Sequence, residues 1–343
     1  MRASALETIL TRAWLRRGPL ACALLPLALV FGALAGARAA LYRTGLKQST
    51  RLPVPVVVVG NIFIGGTGKT PLTIWLVGVL RAAGFTPGVI SRGFGSSDAA
   101  PRQVSAASDA QQVGDEPLLI ARRAACPVVV GRDRAAAGRA LLAAHPAVDV
   151  IISADGLQHY ALQRDVEIML FDARGAGNGW LLPAGPLREP RARRRDFTII
   201  NAPEITPELR ASVGGAPFRM HLAGTQAEQL LHPGQGMALA ALAGKRIVAA
   251  AGIGNPGRFF AMLRAAGLVF EELALPDHHD FLDAPFARVD ADIILITEKD
   301  AVKCGQIDDL KDDPRLWVVP VSAQLDAALA EHIVEKCRGC SPV

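Results

Sequence analysis

Apolar positions along this chain follow three patterns. One uncharged apolar run covers residues 18–37, with Arg12, Arg16 and Arg17 before it and Arg38, Arg43 and Lys47 after it. At about 1.5 Å per residue, a helix over that run roughly matches a bilayer core of about 30 Å. Short β-branched runs come next, at 55–59, 88–90, 128–130, 150–152, 167–171 and 197–200, and again at 246–251, 292–296 and 317–321. They read as buried strands, and helical stretches separate them. The spacing predicts helices over 70–83 and 256–266; the first has Pro71 near its start and Gly84 just past its end.

Strand–helix alternation of this kind predicts an α/β fold built on a parallel sheet. Residues 46–202 are expected to form a P-loop NTPase-type domain. Residues 203–343, irregular as far as 243, are expected to form a second, smaller α/β lobe closing over the cleft. Residues 1–45 hold the apolar segment. That segment can be read as a signal peptide, a membrane-associated anchor helix or a buried core helix. An ATP-type site downstream argues against export, because ATP is a cytoplasmic substrate, and the anchor is the reading adopted. Pro19 and Pro26 weaken a straight span.

Composition narrows the partners. Half the residues are hydrophobic and a fifth are charged, which is globular. The net charge of +5, from 37 basic and 32 acidic residues, suits phosphate or an acidic membrane face. It is too small to indicate nucleic acid, and the 5% aromatic content offers little base-stacking surface. The five cysteines are scattered, which favours a reducing compartment. The pair Cys337 and Cys340 reads as frayed tail thiols.

The strand at 55–59 runs into Phe63-Ile64-Gly65-Gly66-Thr67-Gly68-Lys69-Thr70 and then a helix. This is the context a phosphate-binding loop requires. Glycines let backbone N–H groups approach phosphates, and the helix N-terminus adds its positive dipole end. Lys69 can neutralise the β and γ phosphates of ATP, and the Thr70 hydroxyl can ligate Mg²⁺. The usual spacing wants glycine where Phe63 stands. Partitioning and targeting ATPases carry lysine where this chain has Ile64, which argues against that group. Asp155, ending the run 150–154, is the candidate metal-side acid; a turn role at Asp155-Gly156 is the alternative. Asp115, between Gly114 and Glu116-Pro117, sits where a carboxylate can face a cleft or begin a helix.

Several segments together resemble the tetraacyldisaccharide 4′-kinases of lipid A synthesis. They are Val58-Val59-Gly60-Asn61 before the glycine turn, Ser91-Arg92-Gly93-Phe94-Gly95, Gly114-Asp115-Glu116-Pro117, Asp155-Gly156-Leu157-Gln158-His159-Tyr160, Leu182-Pro183-Ala184-Gly185-Pro186-Leu187-Arg188-Glu189, Pro276-Asp277-His278-His279 and Thr297-Glu298-Lys299-Asp300-Ala301-Val302-Lys303. The ordered set covers nearly the whole chain. The resemblance implies transfer of the ATP γ-phosphate to the 4′-hydroxyl of a membrane-embedded acylated glucosamine disaccharide 1-phosphate, at the cytoplasmic face of the bacterial inner membrane. It also implies an Asp115–His278 pair with Asp115 as base, His279 being the other possible partner. The family commonly has Asp-Asp-Gly where this chain has Ala154-Asp155-Gly156, which leaves a metal role open for Glu189. Arg92, Arg188, Gln158 and His159 are candidate substrate contacts. The cluster Arg191, Arg193, Arg194 and Arg195 is a candidate for the 1-phosphate or lipid headgroups. Glu298-Lys299-Asp300, after a strand, is a candidate nucleotide-side contact.

Overall fold

The computed structural model describes residues 9–93 and 100–340. Its strands are β1 (Val56–Gly60), β2 (Pro87–Ser91), β3 (Arg102–Val104), β4 (Val128–Val130), β5 (Val150–Ala154), β6 (Val166–Asp172), β7 (Phe197–Asn201), β8 (Phe218–Ala223), β9 (Gln226–Gln229), β10 (Gly236–Ala238), β11 (Ile247–Ala251), β12 (Glu271–Ala274), β13 (Ile293–Thr297), β14 (Leu316–Val319) and β15 (Ser322–Leu325). Nine form one sheet in the order β15-β8-β7-β6-β1-β5-β2-β4-β3; six form another in the order β10-β9-β14-β13-β11-β12.

The continuous valine run of β1 is buried at every position because both faces are covered. It lies parallel between β5, with Val56 opposite Ile151, and β6, with Val57 opposite Val166. Its C-terminal end therefore opens at the middle of the sheet, where α/β folds bind ligands. The helix Lys69–Ala82 buries Leu72, Leu76, Val77 and Leu80 in the core that also holds Val57 and Val59. Each such side chain contributes about 1.5–3 kcal/mol of burial, and that packing fixes the start of the helix beneath the glycine turn.

The expected division at residue 202 does not coincide with the sheets. β8 pairs parallel to β7, and β15 pairs antiparallel to β8. Leu329, Ile333 and Cys337 of the helix Ala327–Arg338 join the first core. The second sheet, β9–β14, is thus an insertion between two strands of the first. The two crossings touch, since a Cβ on Gly224 would come within 2.8 Å of the Pro320 carbonyl. Cys337 is a buried core residue, not a frayed tail thiol.

The apolar segment forms the helices Pro19–Ala23 and Leu25–Arg43. In the longer one only Ala28 is buried, and Leu27, Leu29, Val30 and Leu34 are exposed. It is not a core helix, and an apolar face of this kind fits a lipid surface. Trp14 Nε1 donates to the Pro183 carbonyl at 2.8 Å, and the Tyr42 and Tyr160 rings lie 5.9 Å apart, tying the segment to the first lobe.

Candidate active site

The chain leaves β1 through Asn61 and re-enters a helix at Lys69. Gly65 and Gly68 both have positive φ. At Gly68 the need for glycine is twofold, because a Cβ would also meet Asn201 Nδ2 at 2.4 Å. That amide donates to the Thr67 carbonyl at 2.9 Å. Asn61 Nδ2 donates to the Gly65 carbonyl and to Thr67 Oγ1, both at 3.1 Å, and Lys69 Nζ donates to Asn61 Oδ1 at 3.4 Å. No side chain caps the helix Lys69–Ala82, so its first N–H groups remain available to an anion.

Phe63, Ile64 and Gly65 do not border the cavity. Gly66 through Pro71 border the adjoining cavity. Phe63 is buried, with the Arg174 guanidinium 4.3 Å above its ring, and Ile64 N donates to the Pro186 carbonyl. Both brace the loop from behind, so the departure from glycine at Phe63 is a packing feature.

Asp155 sits at the end of β5 in a left-handed conformation, φ 55°, which Asp adopts more readily than most non-glycine residues. Its Oδ1 is shielded and accepts no hydrogen bond. Lys69 Nζ lies 3.6 Å away and Arg188 Nη1 3.9 Å away. Glu189 does not join this group. Its Oε1 accepts from Gln158 Nε2 and Arg193 Nη1, both at 2.8 Å. Its Oε2 accepts from Tyr160 at 2.6 Å and Arg193 at 2.9 Å. With four hydrogen bonds its lone pairs are used, and a metal role is not supported. Gln158 likewise faces inward. His159 Nε2 accepts from Arg134 N at 3.3 Å. Burial, then the nearby Arg134 charge, push its pKa down to about 4. Arg92 is exposed and electrostatically coupled to Arg134; Phe94 and Gly95 of its motif lie outside the described residues.

Most of the arginine cluster is also engaged. Arg193 binds Glu189 and Glu167, Arg191 donates to the carbonyls of Ala211 and Ser212, and Arg195 donates to Thr198 and Val213. Arg193 and Arg195 thus brace loops, while Arg191 and Arg194 stay exposed.

Asp115 and His278 meet across the lobes. Asp115 begins the helix Asp115–Ala124 with Gly114 as the cap residue, and its Oδ2 lies 3.0 Å from His278 Nδ1. Lys303 Nζ is 3.3 Å and Lys299 Nζ 3.9 Å from the same oxygen. Burial alone would raise the Asp115 pKa. The His278 hydrogen bond and the two ammonium groups outweigh it and hold the carboxyl well below the usual carboxylate range. His278 has φ 60°. His279 is turned elsewhere: its Nδ1 accepts from Phe281 N at 3.0 Å, and its Nε2 lies 3.5 Å from Asp283.

Between the lobes lies a cavity of about 480 Å³. Its floor is the turn Gly66–Pro71, its apolar walls include Ile74, Leu119, Phe259 and Met262, and its rim includes Glu116, Glu298 and Lys299. Glu298 is itself tied to Arg123 and to Val321 N. Gly254 of the second lobe abuts the turn; a Cβ there would meet Gly66 N at 2.8 Å. Three residues to which the sequence alone assigns no role stand near these groups. Arg134 is 2% exposed with Nε unpaired, Lys303 bears on Asp115, and Arg258 reaches the Thr67 carbonyl at 3.3 Å.

Known proteins are similar to this chain. A family model described as tetraacyldisaccharide-1-P 4′-kinase matches residues 20–338. A tetraacyldisaccharide 4′-kinase of Janthinobacterium sp. (strain Marseille) is 65% identical over 347 residues, 99% of each chain. One of Herminiimonas arsenicoxydans is 60% identical over 354 residues, covering 99% of this chain and 98% of its own. A crystal structure of LpxK from Aquifex aeolicus, described as the "apo" form in complex with ATP, superposes with a TM-score of 0.76 at 28% identity, over 92% of this chain and 99% of that one. With the match running from the apolar helix to the last helix of the first core, the chain belongs to the tetraacyldisaccharide 4′-kinase family, a family of kinases in lipid A biosynthesis.

Proposed function

We propose that this protein transfers the γ-phosphate of ATP to the 4′-hydroxyl of an acylated glucosamine disaccharide 1-phosphate, with Mg²⁺, at the cytoplasmic face of the bacterial inner membrane. The observation that carries the reading is the cleft itself. Lys69 on its floor and Glu116 and Lys299 on its rim, the latter two beside the Asp115–His278 pair, border one cavity.

The backbone amides of Gly66–Thr70 and the uncapped helix end bind the phosphate oxygens, and Lys69 compensates their charge. Thr70 and Asp155 fit Mg²⁺ by chemistry, being hard oxygen donors, and Asp155 Oδ1 has no competing hydrogen bond. When bound there, Mg²⁺ supplies charge neutralisation to the β and γ phosphates. The 4′-oxygen forms a bond to the γ-phosphorus as the bond to the β-phosphate oxygen breaks. ADP leaves, and the hydroxyl proton passes to Asp115. A carboxylate held so far down is a weak base. It accepts that proton late, once bonding to phosphorus has acidified the hydroxyl. His278 Nδ1, 3.0 Å from Asp115 Oδ2, is placed to donate to it and hold its orientation.

Arg92, Arg188 and Arg134 supply cations for the substrate's phosphate and sugar, with Gln158 and His159 shaping the loop beneath them. The exposed apolar helix Leu25–Arg43 ends near Tyr160, which donates to Glu189 beside Arg188. A lipid surface along that helix would present its headgroups to this side of the site. The direct test incubates the protein with ATP, Mg²⁺ and the acylated disaccharide 1-phosphate. A lipid one phosphate heavier is the expected product; ATP consumption without it would overturn the reading.

A further inference from the structure

We propose that Arg258 is a phosphate-compensating residue, carried by the second lobe and delivered onto the ATP phosphates beside Lys69. The inference rests on the kinase reading above and adds a residue to it.

β11 lies between β12 and β13, so the sheet's strand order reverses there. The glycine turn after it leads into the helix Pro256–Ala265, and Arg258 stands in that helix's first turn. Contact between Gly254 and Gly66 brings this turn against the phosphate loop. The Arg258 guanidinium crosses the gap, and its Nη1 donates to the Thr67 carbonyl at 3.3 Å. Among the described residues this is its one hydrogen bond, at the long end of the range, from a group with five donors.

Its charge also lacks a dedicated partner. The opposite charge that acts on it is Asp172, but that carboxylate is held by Arg174 through contacts of 3.0, 3.1 and 2.7 Å. Among the described residues Arg258 makes no salt bridge. Arg258 is half-buried, and that burial pulls its pKa down. Such a cation, on the wall of the cavity that Lys69 also borders, is suited to an incoming polyphosphate. Its planar fork can bind two oxygens of the transferring group, and it takes up no proton in the reaction.

The test uses the full-length protein and the variants Arg258→Lys and Arg258→Met. Turnover of Arg258→Met should fall on the order of 10²-fold or more, while ADP affinity stays within about threefold, as for loss of a transition-state contact. ADP with aluminium fluoride, which mimics the transferring phosphoryl group, should lose its extra affinity over ADP alone. Arg258→Lys keeps the charge without the fork, so it should show the same loss to a smaller degree, and it carries the test if the methionine variant does not fold. Equal loss of ADP and ADP–aluminium fluoride binding would make Arg258 a latch between lobes and overturn the proposal. So would turnover within about threefold of the parent. The parent protein in the same assay separates the two readings, because failure of the parent to make the heavier lipid would sink the kinase reading itself.

Discussion

Replacing Asp115 with asparagine removes one negative charge and little volume from a buried constellation. The side chain is 4% exposed and faces His278 at 3.0 Å, Lys303 at 3.3 Å and Lys299 at 3.9 Å. Removing one partner of a buried ion pair costs about 3–5 kcal/mol. The low end applies, since Lys299 keeps Asp277 at 3.1 Å and Lys303 keeps the His279 carbonyl at 2.9 Å. About 3 kcal/mol corresponds to a melting temperature lowered on the order of 5 °C in a chain of this size. The catalytic loss is a separate quantity. An amide cannot take the hydroxyl proton, so turnover should drop about 10²- to 10⁴-fold, with ATP affinity nearly unchanged because the phosphate turn is untouched. Calorimetry gives the first number. Transfer of label from γ-labelled ATP to lipid, with nucleotide binding measured in parallel, gives the second. A folded variant that turns over within about threefold of the parent would refute the base assignment.

Lys69→Ala removes the cation nearest Asp155 and the phosphate turn; labelled transfer should become undetectable, and near-normal turnover would contradict that placement. His159 gives a pH signature. Its folded pKa of about 4 lies below its ordinary 6.5, so the unfolded chain takes up a proton that the folded chain refuses. Stability should therefore fall as pH drops from about 6.5 to 4. Denaturant midpoints across that window should show a flatter profile in His159→Gln; an unchanged slope would remove His159 from the effect. Deleting the residues before Arg38 should release the protein from lipid vesicles in a sedimentation assay, and undiminished binding would locate the attachment elsewhere.

The parts of the fold readable in advance were those carried by local signals. The valine run of β1, the Gly-Lys-Thr turn and the helix bounded by Pro71 and Gly84 each need only neighbouring residues to declare themselves. β8 and β15 show no clear period because they lie toward one end of the sheet with mixed exposure, containing Arg219, His221 and Gln324. Their pairing joins segments about a hundred residues apart, which no local period reveals, and so the boundary at 202 was misplaced. His278 and Asp115 lie 163 positions apart, and only the resemblance joined them. Glu189 carried a usable clue, an arginine four residues on, with which it pairs in the structure. Arg134 and Arg258 sit in the first turns of helices, where arginine ordinarily reads as surface charge; only the folded chain sets one beside Asp155 and the other against the Thr67 carbonyl.

The most direct measurement is a crystal structure of the full chain with a non-hydrolysable ATP analogue and Mg²⁺. The result predicted is a triphosphate seated on the amides of Gly66–Thr70, with Lys69 against its outer oxygens and the metal between Thr70 and Asp155. A nucleotide bound with its phosphates away from that turn, or a metal held by Glu189 instead, would contradict it.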